Sequence, residues 1–462
     1  HSATFTHDYF GLVHVPLNGF NKLTLNLTAV NGSIDTAANG KSFGLLGLNS
    51  AVDYGAASAR TVTSSVAVAG DGDLMLGMTL NDTLTGGSGN DLILGVYGDD
   101  SLSGGAGSDI ISGGAGNDKI IITNTTHANL AAAVISGGAD TDTLVLNTAG
   151  TDLVDADFAG VTGVETVALT GASSIVLGTN ATTSGIATLI TGNDVTSITS
   201  TQTALAVDAS LLATTKALTL LGSANYTVTS TGTIFDKVTA TGSTGTLNVT
   251  FGDTGSDAVP FVTGNGNTTV VGGAAADVIT VTGLATASQT FTGSVAKFNV
   301  TAGANAQTIT TGAGADTITG GAGADVITVG AGNDVVKYTA ITESTVGNID
   351  WIKDLTLNAA TADTIDLTVT VAAVVASQAS GLASSGLTES AINGLLNVTN
   401  GTLTNKLSAA GTGLDVAILT TTDTKTYLVV DADDSGTFTT AADMLIEITG
   451  STLTSVTTAS FV

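Results

Sequence analysis

Aspartates at a spacing of nine residues are the side chains of this sequence best suited to bind a metal ion. Residues 77–121 divide into consecutive nonapeptides with aspartate at each sixth place, and residues 68–76 add a copy in the same frame. Carboxylate oxygens are hard ligands of the kind that Ca²⁺ takes in proteins. The frame therefore predicts a row of calcium ligands: Asp73, Asp82, Asp91, Asp100, Asp109 and Asp118.

A second group of nonapeptides occupies residues 311–337 and adds Asp316, Asp325 and Asp334. The frame continues backwards through three further nonapeptides that have no aspartate at the sixth place, although their eighth place remains apolar. The structural period thus continues where the acidic residue is lost. This separates a strand-packing role of the repeat from an ion-binding role.

Two isolated copies of the nonapeptide, residues 137–145 and 272–280, supply Asp142 and Asp277. The first of them is out of frame with the preceding repeats. For both, a solvated Gly- and Asp-rich loop without a bound ion is the alternative to a calcium site.

Glycine and an apolar residue accompany each aspartate in the pattern GGxGxDxUx, where U is apolar. Glycine adopts left-handed and other open backbone conformations in tight turns. The apolar eighth residue suits a short strand that faces a core, so each nonapeptide is predicted to be a turn followed by a strand. The glycines assigned to the calcium-binding turns are Gly86, Gly87, Gly89, Gly104, Gly105, Gly107, Gly113, Gly114, Gly116, Gly320, Gly321 and Gly323.

This pattern resembles the nonapeptide of RTX (repeats-in-toxin) proteins of Gram-negative bacteria, a repeat signature of calcium-binding parallel β-structures. The resemblance implies that two nonapeptides form one coil of a right-handed parallel β-roll. Aspartates 18 residues apart would then share an edge, as Asp82 and Asp100 or Asp316 and Asp334 do. It also implies that each Ca²⁺ lies between coils, held by carboxylates and backbone carbonyls.

The C-terminal third has a different character. Trp351, the only tryptophan, lies in a segment that resembles the cap following RTX arrays, and it is predicted to close the end of the solenoid. Residues 385–398 are predicted to be helical, with Thr388 as a possible N-cap. The last residues, 459–462, resemble an uncleaved type I secretion signal.

A further calcium site is predicted from Asp431, Asp433 and Ser435, which occupy alternate places before Gly436. This order resembles the first half of an EF-hand-like loop. The twelfth place is Ala442 rather than glutamate, so Asp443 is the candidate to complete a non-standard site. A plain polar β-turn is the alternative.

These features together predict an all-β fold: a right-handed parallel β-roll or β-helix solenoid with calcium-binding nonapeptide turns and a few short helices near the C-terminus. A β-sandwich would give the same strand spacing in the middle of the chain, but a solenoid continues the rolls without exposing strand edges. The predicted segments are an N-terminal β-rich segment (1–67), a first β-roll (68–147), a β-helix-like solenoid (148–262), a second β-roll (263–340) and a C-terminal cap with the secretion signal (341–462).

Composition excludes several classes of partner. The 462 residues include 11 Lys and Arg against 39 Asp and Glu, which gives a net charge of −28. Such a chain has no basic surface with which to neutralise nucleic-acid phosphates or anionic membranes. No apolar run approaches the roughly 18 residues of a membrane-spanning helix.

The sequence contains no cysteine and so can form no disulfide. Calcium is therefore expected to replace disulfides as the cross-link.

No catalytic motif is present: the sequence contains neither HExxH nor GxSxG. The four histidines are His1, His7, His14 and His127, and none belongs to a motif. For His7 and His14, ordinary exposed histidines are a better interpretation than a metal-binding pair. No catalytic residue is assigned, and the protein is expected not to be an enzyme.

The sequence most resembles an RTX-type surface-layer (S-layer) protein, secreted through the type I machinery and assembled into a lattice at the cell surface. Cell-surface polysaccharide is a candidate anchoring partner. The start at His1 suggests a processed form or a fragment. A type I-secreted adhesin and a β-helical polysaccharide-modifying enzyme are the alternatives.

Overall fold

The computed structural model describes most of the chain from residue 73 onwards and four short strands before it. The described ranges are 2–7, 22–27, 44–47, 61–63, 73–77, 80–87, 90–123, 127–147, 152–172, 174–212, 216–230, 237–251, 258–272, 278–283, 289–292, 296–357, 363–367, 371–379, 383–396, 414–433, 438–453 and 456–461. These form two compact units, residues 1–216 and 217–462. The boundary falls within the segment predicted as a β-helix-like solenoid.

The first unit contains short strands and two short helices. The strands are β1 (Ser2–His7), β2 (Lys22–Leu27), β3 (Gly44–Gly47), β4 (Thr61–Thr63), β5 (Asp73–Leu76), β6 (Thr83–Thr85), β7 (Leu92–Tyr97), β8 (Ser101–Ser103), β9 (Ile110–Ala115), β10 (Lys119–Ile122), β11 (Val134–Ala139), β12 (Thr143–Leu146), β13 (Val161–Thr162), β14 (Thr166–Leu169), β15 (Ser174–Leu177), β16 (Thr188–Ile190), β17 (Ser197–Ser200) and β18 (Ala204–Asp208). The helices are α1 (His127–Ala132) and α2 (Thr179–Ser184), and a 3₁₀ turn covers Asp155–Phe158.

Parallel pairing between alternate strands organises this unit as a solenoid. One sheet runs β4–β6–β8–β10–β12–β14–β16–β18. The facing sheet runs β3–β5–β7–β9–β11–β13. Further parallel pairs are β15 with β17 and β1 with β2. Parallel pairing of sequence-alternate strands rules out the antiparallel sandwich and confirms the predicted solenoid.

The apolar eighth residue of each nonapeptide forms the core, because it lies at the centre of a short strand whose neighbours point outwards. Leu84, Leu102 and Ile120 lie in register on adjacent strands, and Leu144 continues the row. All four are at most 1% exposed. Turns rich in Gly, Asn and Asp separate the strands, as expected for short strands with frequent turn signals.

The second unit repeats this arrangement and ends in a different sheet. Its strands are β19 (Ala217–Gly222), β20 (Asn225–Ser230), β21 (Lys237–Ser243), β22 (Leu247–Phe251), β23 (Ala258–Val262), β24 (Thr268–Val271), β25 (Val278–Thr282), β26 (Gln289–Thr292), β27 (Lys297–Thr301), β28 (Thr308–Thr310), β29 (Thr317–Thr319), β30 (Val326–Thr328), β31 (Val335–Lys337), β32 (Asp350–Ile352), β33 (Thr356–Leu357), β34 (Thr364–Asp366), β35 (Val371–Ala379), β36 (Leu414–Thr420), β37 (Thr426–Asp431), β38 (Met444–Glu447) and β39 (Thr452–Leu453). It also contains helix α3 (Glu389–Leu396) and 3₁₀ turns at Ile341–Glu343, Ser384–Gly386 and Thr458–Ser460.

Its two parallel sheets are β20–β22–β24–β26–β28–β30–β32 and β19–β21–β23–β25–β27–β29–β31–β34. Strands β36, β37 and β38 pair antiparallel, and β38 also pairs parallel with β32. The antiparallel strands thus continue from the last strand of the solenoid. Among the described residues, no helix is long and apolar enough to cross a membrane.

The short helices are distributed more widely than the sequence suggested. Helix α3 lies in the predicted C-terminal position, where the Ala391 N–H donates to Thr388 Oγ1 at 3.3 Å as in an N-cap. Helices α1 and α2 lie in the first unit instead. Helix α1 occupies the connection between β10 and β11, where it lengthens one coil of the solenoid.

Trp351, which is predicted to close the end of the solenoid, lies on the outer face of strand β32. Its strand places Asp350 and Ile352 inwards, and both are fully buried, so the intervening tryptophan points outwards. The ring is half-buried, its Nε1–H donates to the Thr449 carbonyl at 2.9 Å, and Lys353 Nζ lies 4.6 Å from the ring centre. Trp351 therefore joins β32 to the C-terminal strands along their outer face.

Candidate metal centre

The aspartates of the first array form a hydrogen-bonded ladder along the turns of the solenoid. The Asp82 N–H donates to Asp100 Oδ1 at 2.7 Å, and the Asp100 N–H donates to Asp118 Oδ1 at 2.8 Å. On the opposite edge, the Asp91 N–H donates to Asp109 Oδ1 at 2.9 Å. The aspartates thus stack at the 18-residue separation that the sequence predicts. Each is at most 6% exposed.

The residue before each aspartate forms a second, more exposed ladder. Asn81 Oδ1 accepts from the Asp99 N–H at 2.9 Å, and Asp99 Oδ1 accepts from the Asn117 N–H at 2.8 Å. Asn90 Oδ1 accepts in the same way from Ser108 N–H. These side chains satisfy backbone donors of the next coil, whereas the aspartates satisfy donors of the preceding coil. The fifth place of the nonapeptide therefore stabilises the turn without belonging to the buried row.

The second carboxylate oxygen of each aspartate points towards a glycine and a backbone carbonyl. A Cβ placed on Gly95 would lie closer than 3.0 Å to both Asp100 Oδ2 and the Gly113 carbonyl oxygen. A Cβ on Gly113 would meet Asp118 Oδ2 and the Gly137 carbonyl oxygen in the same way. Two oxygens from successive coils thus converge over a glycine, because only glycine leaves that space open.

These convergent oxygens fit calcium. Among the described residues, Oδ2 of Asp100, Asp118 and Asp142 is buried without a hydrogen-bond partner. A buried carboxylate oxygen without a partner is costly unless a cation balances it. An all-oxygen set of carboxylates and carbonyls is the donor set that Ca²⁺ prefers. The turns of the first array therefore have the chemistry of calcium sites.

The positive backbone angles of the turns explain the doubled glycines. Gly105 has φ of 90° and Gly114 has φ of 119°, conformations that other residues rarely adopt. A Cβ on either would also approach a carbonyl of the preceding coil, that of Gly87 or Val96. Replacing either glycine would thus combine backbone strain with a steric clash.

Asp142, in the isolated copy, belongs to the same ladder. Its Oδ1 accepts from the Asp118 N–H at 2.8 Å, across 24 residues rather than 18. Helix α1 contributes to the longer coil, while β12 stays paired with β10. The ladder then continues to a residue that the sequence did not identify, since the Asp142 N–H donates to Glu165 Oε2 at 2.9 Å. The available signal was an acidic residue immediately before a strand.

The second array forms an equivalent ladder. The Asp316 N–H donates to Asp334 Oδ1 at 2.8 Å, and the Gln307 N–H donates to Asp325 Oδ1 at the same distance. Earlier in the frame, Phe298 replaces the aspartate. It is fully buried, with its ring centre 5.5 Å from that of Phe291. An aromatic pair thus fills part of the solenoid where the frame has no carboxylate.

The second ladder also extends beyond its nonapeptides. The Asp325 N–H donates to Asp350 Oδ1 at 2.8 Å, and the Asp334 N–H donates to Asp363 Oδ1 at 3.0 Å. Asp354 accepts from the Val329 N–H at 2.8 Å. The sequence signal was the acidic run around Trp351, which was assigned to a cap and not to ligands.

Burial changes the acidity of these carboxyl groups. Desolvation raises the pKa of Asp100 to about 7, and the neighbouring Asp118 and Asp82 charges add to it, although the Asp82 N–H hydrogen bond partly opposes the shift. Burial likewise raises the pKa of Asp325 and Asp334 to about 7 and that of Asp109 and Asp142 to about 6. A divalent cation would stabilise the charged form that burial disfavours.

The predicted C-terminal site brings three carboxylates together. Oxygens of Asp431, Asp433 and Asp443 all lie within 4.8 Å of one another. Asp443 is held in place by the Ala432 N–H at 2.7 Å and the Thr439 N–H at 2.5 Å. Ser435 lies outside the described residues, as do Gly89 and Asp277 of the nonapeptides, and the side chain of Asp73 is likewise not described.

Comparison with known protein families matches the RTX calcium-binding nonapeptide repeat at residues 69–96, 94–121, 262–281 and 301–336. The chain therefore contains RTX calcium-binding nonapeptide repeats. The matched segments contain both aspartate ladders, and the third segment contains Asp277 of the isolated copy. A search of the curated proteins found no match.

RTX repeats bind calcium ions, so the aspartate ladders of this chain are calcium-binding structures. Proteins with such repeats are typically secreted, which fits a secreted calcium-binding protein. Four acidic residues, Asp142, Glu165, Asp350 and Asp363, extend the ladders outside the matched segments.

Proposed function

We propose that this protein is a calcium-dependent structural protein that assembles into a bacterial surface layer. The observation that carries the proposal is an uncharged, exposed apolar face on a chain of net charge −28. The face is formed by β7, β9 and β11, whose sequences LILGVY, IISGGA and VISGGA contain no charged residue. A second copy of the chain is the partner that this face fits.

The centre of this face is a row of three side chains. Leu92, Ile110 and Val134 lie directly in register on adjacent parallel strands. They are 36%, 49% and 53% exposed, respectively. Aligned apolar side chains on a sheet can pack against an identical row on a second copy, because a two-fold axis brings the same patch to both sides of an interface.

The facing sheet of the same coils lacks this property. Its residues at the equivalent place, the seventh of the nonapeptide, are Thr83, Ser101 and Lys119, in register with one another. Only one of the two outer faces is therefore apolar. The nonapeptide pattern requires no particular residue type at the seventh place. The apolar residues at this place on one sheet alone therefore need a separate explanation, and an interface supplies one.

Electrostatics favours self-association at an uncharged face. Copies with a charge of −28 repel one another over roughly 10 Å at 0.1 M salt, and over longer distances in dilute buffer. A surface without carboxylates reduces this repulsion and adds the burial of apolar area. Calcium bound in the ladders lowers the net negative charge further, so assembly is expected to follow calcium-driven folding.

The same chemistry suits export through the type I machinery. Extracellular modules bind calcium at roughly 10⁻⁴–10⁻³ M, far above cytoplasmic free calcium. Without the ion, stacked carboxylates repel and the chain stays unfolded for passage through a narrow channel. Outside the cell, binding and folding become one event. Cell-surface polysaccharide is the proposed anchoring partner, and no catalytic role is part of the proposal.

The test is a calcium titration followed by circular dichroism and static light scattering on the same samples, with electron microscopy at the end point. We expect folding first, then a rise in scattering, and an ordered two-dimensional array. Ile110→Asp should prevent the rise without moving the folding midpoint. Ser101→Asp, the same charge at the same place on the facing sheet, is the matched control and should assemble.

Three outcomes would reject the lattice. Scattering that stays at the monomer value after folding, at every calcium and protein concentration tried, would reject self-assembly. Isolated particles that bind cells or glycans would support an adhesin instead. Turnover of an alginate- or pectin-like polymer would support a β-helical enzyme.

A further inference from the structure

One outer face of the second unit has no charged side chain. It is formed by strands β20, β22, β24, β26, β28 and β30, whose sequences are NYTVTS, LNVTF, TTVV, QTFT, TIT and VIT. Buried and outward side chains alternate along these strands, as the pleat of a strand requires. The outward side chains are threonine, asparagine and valine.

Strand pairing aligns one outward residue from each of these strands into a single row. We call it the threonine row, and its members are Thr227, Asn248, Thr269, Thr290, Thr310 and Thr328. Each of them is exposed or half-buried. Neighbouring strands are about 4.7–4.9 Å apart, which is the repeat distance along the row.

A second outward residue lies beside many members of the row. Thr229 and Thr250 are in register with one another, two places along their strands from Thr227 and Asn248. Two residues of a parallel strand span about 6.6 Å. The face therefore repeats in two directions, with one distance across the strands and another along them.

The preference of threonine for strands does not explain this face by itself. The facing sheet of the same unit includes Lys237, Lys297 and Lys337 within its strands. Charge is thus absent from one face only, in a chain with 39 acidic and 11 basic residues.

The polar groups of the row are also free to contact solvent. Within the part of the chain that the structure describes, the side chains of Thr227, Thr269 and Thr290 form no hydrogen bond with another protein group. Their inward neighbours Val228, Val270 and Phe291 are fully buried, which fixes the strands that carry the row. The hydroxyl groups are therefore held in a regular array and have only water as a partner.

We propose that the threonine row and the outward residues beside it bind ice. An array of hydroxyl and methyl groups on a rigid sheet can hold water molecules at fixed places, and its two repeat distances are close to those between oxygen atoms on a face of hexagonal ice. An uncharged face suits this uncharged partner, because a fixed charge orients the neighbouring water around itself and disrupts the lattice. The proposal does not depend on assembly into a surface layer.

The test uses the full chain, folded in calcium and diluted below the onset of light scattering. We expect the wild-type protein to lower the freezing temperature below the melting temperature, an effect known as thermal hysteresis. It should also shape growing ice crystals and be retained in slowly grown ice.

A pair of lysine variants tests the assignment to this face. Thr290→Lys introduces a charge within the row and should lose most of the thermal hysteresis. Asn299→Lys introduces the same charge at a half-buried outward place of β27, on the facing sheet, and is the matched control that should keep it. Thr290→Val preserves the shape of the side chain and should retain more hysteresis than Thr290→Lys.

The wild-type protein alone can overturn the proposal. Folded wild-type protein that shows no thermal hysteresis and is excluded from growing ice would reject it. So would a Thr290→Lys protein, folded by circular dichroism, with the hysteresis of the wild type. Binding to crystalline cellulose or chitin without any effect on ice would assign the face to a polysaccharide instead. None of these results would bear on the scattering test of assembly.

Discussion

At the scale of single residues, each ladder aspartate has two distinct functions. One oxygen of Asp100 accepts the Asp82 N–H, and the other is buried opposite the Gly113 carbonyl, where a cation fits. Gln307 occupies the same place of the repeat but contributes its backbone N–H to Asp325. The backbone contribution survives any substitution except proline, whereas the ligand contribution needs a carboxylate.

Substitution at these two positions should therefore have different effects. Asp100→Ala removes a ligand and the acceptor of a charge-assisted hydrogen bond, which contributes about 1.5–3 kcal/mol. We expect the calcium midpoint of folding to rise roughly tenfold or more, since about 1.4 kcal/mol corresponds to a factor of ten. Gln307→Ala should leave the midpoint nearly unchanged. Equal midpoints for both variants and wild type, measured by circular dichroism, would contradict the assignment.

At the scale of elements, parallel pairing and not sequence spacing keeps the ladder in register. Asp142 follows Asp118 by 24 residues and Asp350 follows Asp325 by 25, yet both accept from the aspartate N–H of the preceding coil at 2.8 Å. Extra residues go into the connections, such as α1 and the 3₁₀ turn at Ile341–Glu343. A coil can therefore lengthen while its aspartate stays hydrogen-bonded to the preceding coil.

The stacked carboxyl groups also make the elements sensitive to pH. Burial raises the pKa of Asp100 and Asp325 to about 7, against 3.8 for an unperturbed aspartate. In this range the folded state binds more protons than the unfolded state, so the stability of the calcium-free fold increases as pH falls from above 7 towards 4. In chelator, circular dichroism should show more β-structure at pH 5 than at pH 8.

Protons and calcium compete for the same oxygens, which gives a second readout. The calcium concentration that half-saturates the protein in equilibrium dialysis should be higher at pH 5.5 than at pH 8, because the ligands of the folded protein must be deprotonated to bind the ion. A calcium-free spectrum that is identical from pH 5 to pH 8 would show that the buried carboxyl groups do not control folding.

At the scale of the whole molecule, charge and composition make calcium part of the fold. The chain has a net charge of −28, no cysteine, and 4% aromatic residues. Its core consists mainly of Val, Ile and Leu with few aromatic rings. Burial of apolar area must therefore overcome both conformational entropy and the repulsion between stacked carboxylates. Bound calcium removes that repulsion and links successive coils.

Removal of calcium should therefore unfold most of the protein. We expect a largely unstructured circular dichroism spectrum in excess chelator and a cooperative gain of β-structure in millimolar Ca²⁺. Millimolar Mg²⁺ is the control and should be much less effective, because it requires a smaller, near-octahedral site and dehydrates reluctantly. A fully folded spectrum after exhaustive chelation near neutral pH would contradict this account.

The sequence alone determined the features that recur at fixed spacing. The nonapeptides identified the buried strand centres such as Leu102 and Ile120, the 18-residue pairing of Asp82 with Asp100, and the calcium chemistry. These are local properties: a turn of glycines, a carboxylate and one apolar residue follow one another within nine residues. Such a pattern can be read without knowing which strands pair.

Only the tertiary structure decided the features that depend on pairing across connections of variable length. It placed Glu165, Asp350 and Asp363 at the ends of the ladders, and it turned Trp351 outwards. It also aligned Leu92, Ile110 and Val134 into one exposed row. The physical reason is that hydrogen bonding between parallel strands fixes which residues become neighbours, whatever number of residues lies between them.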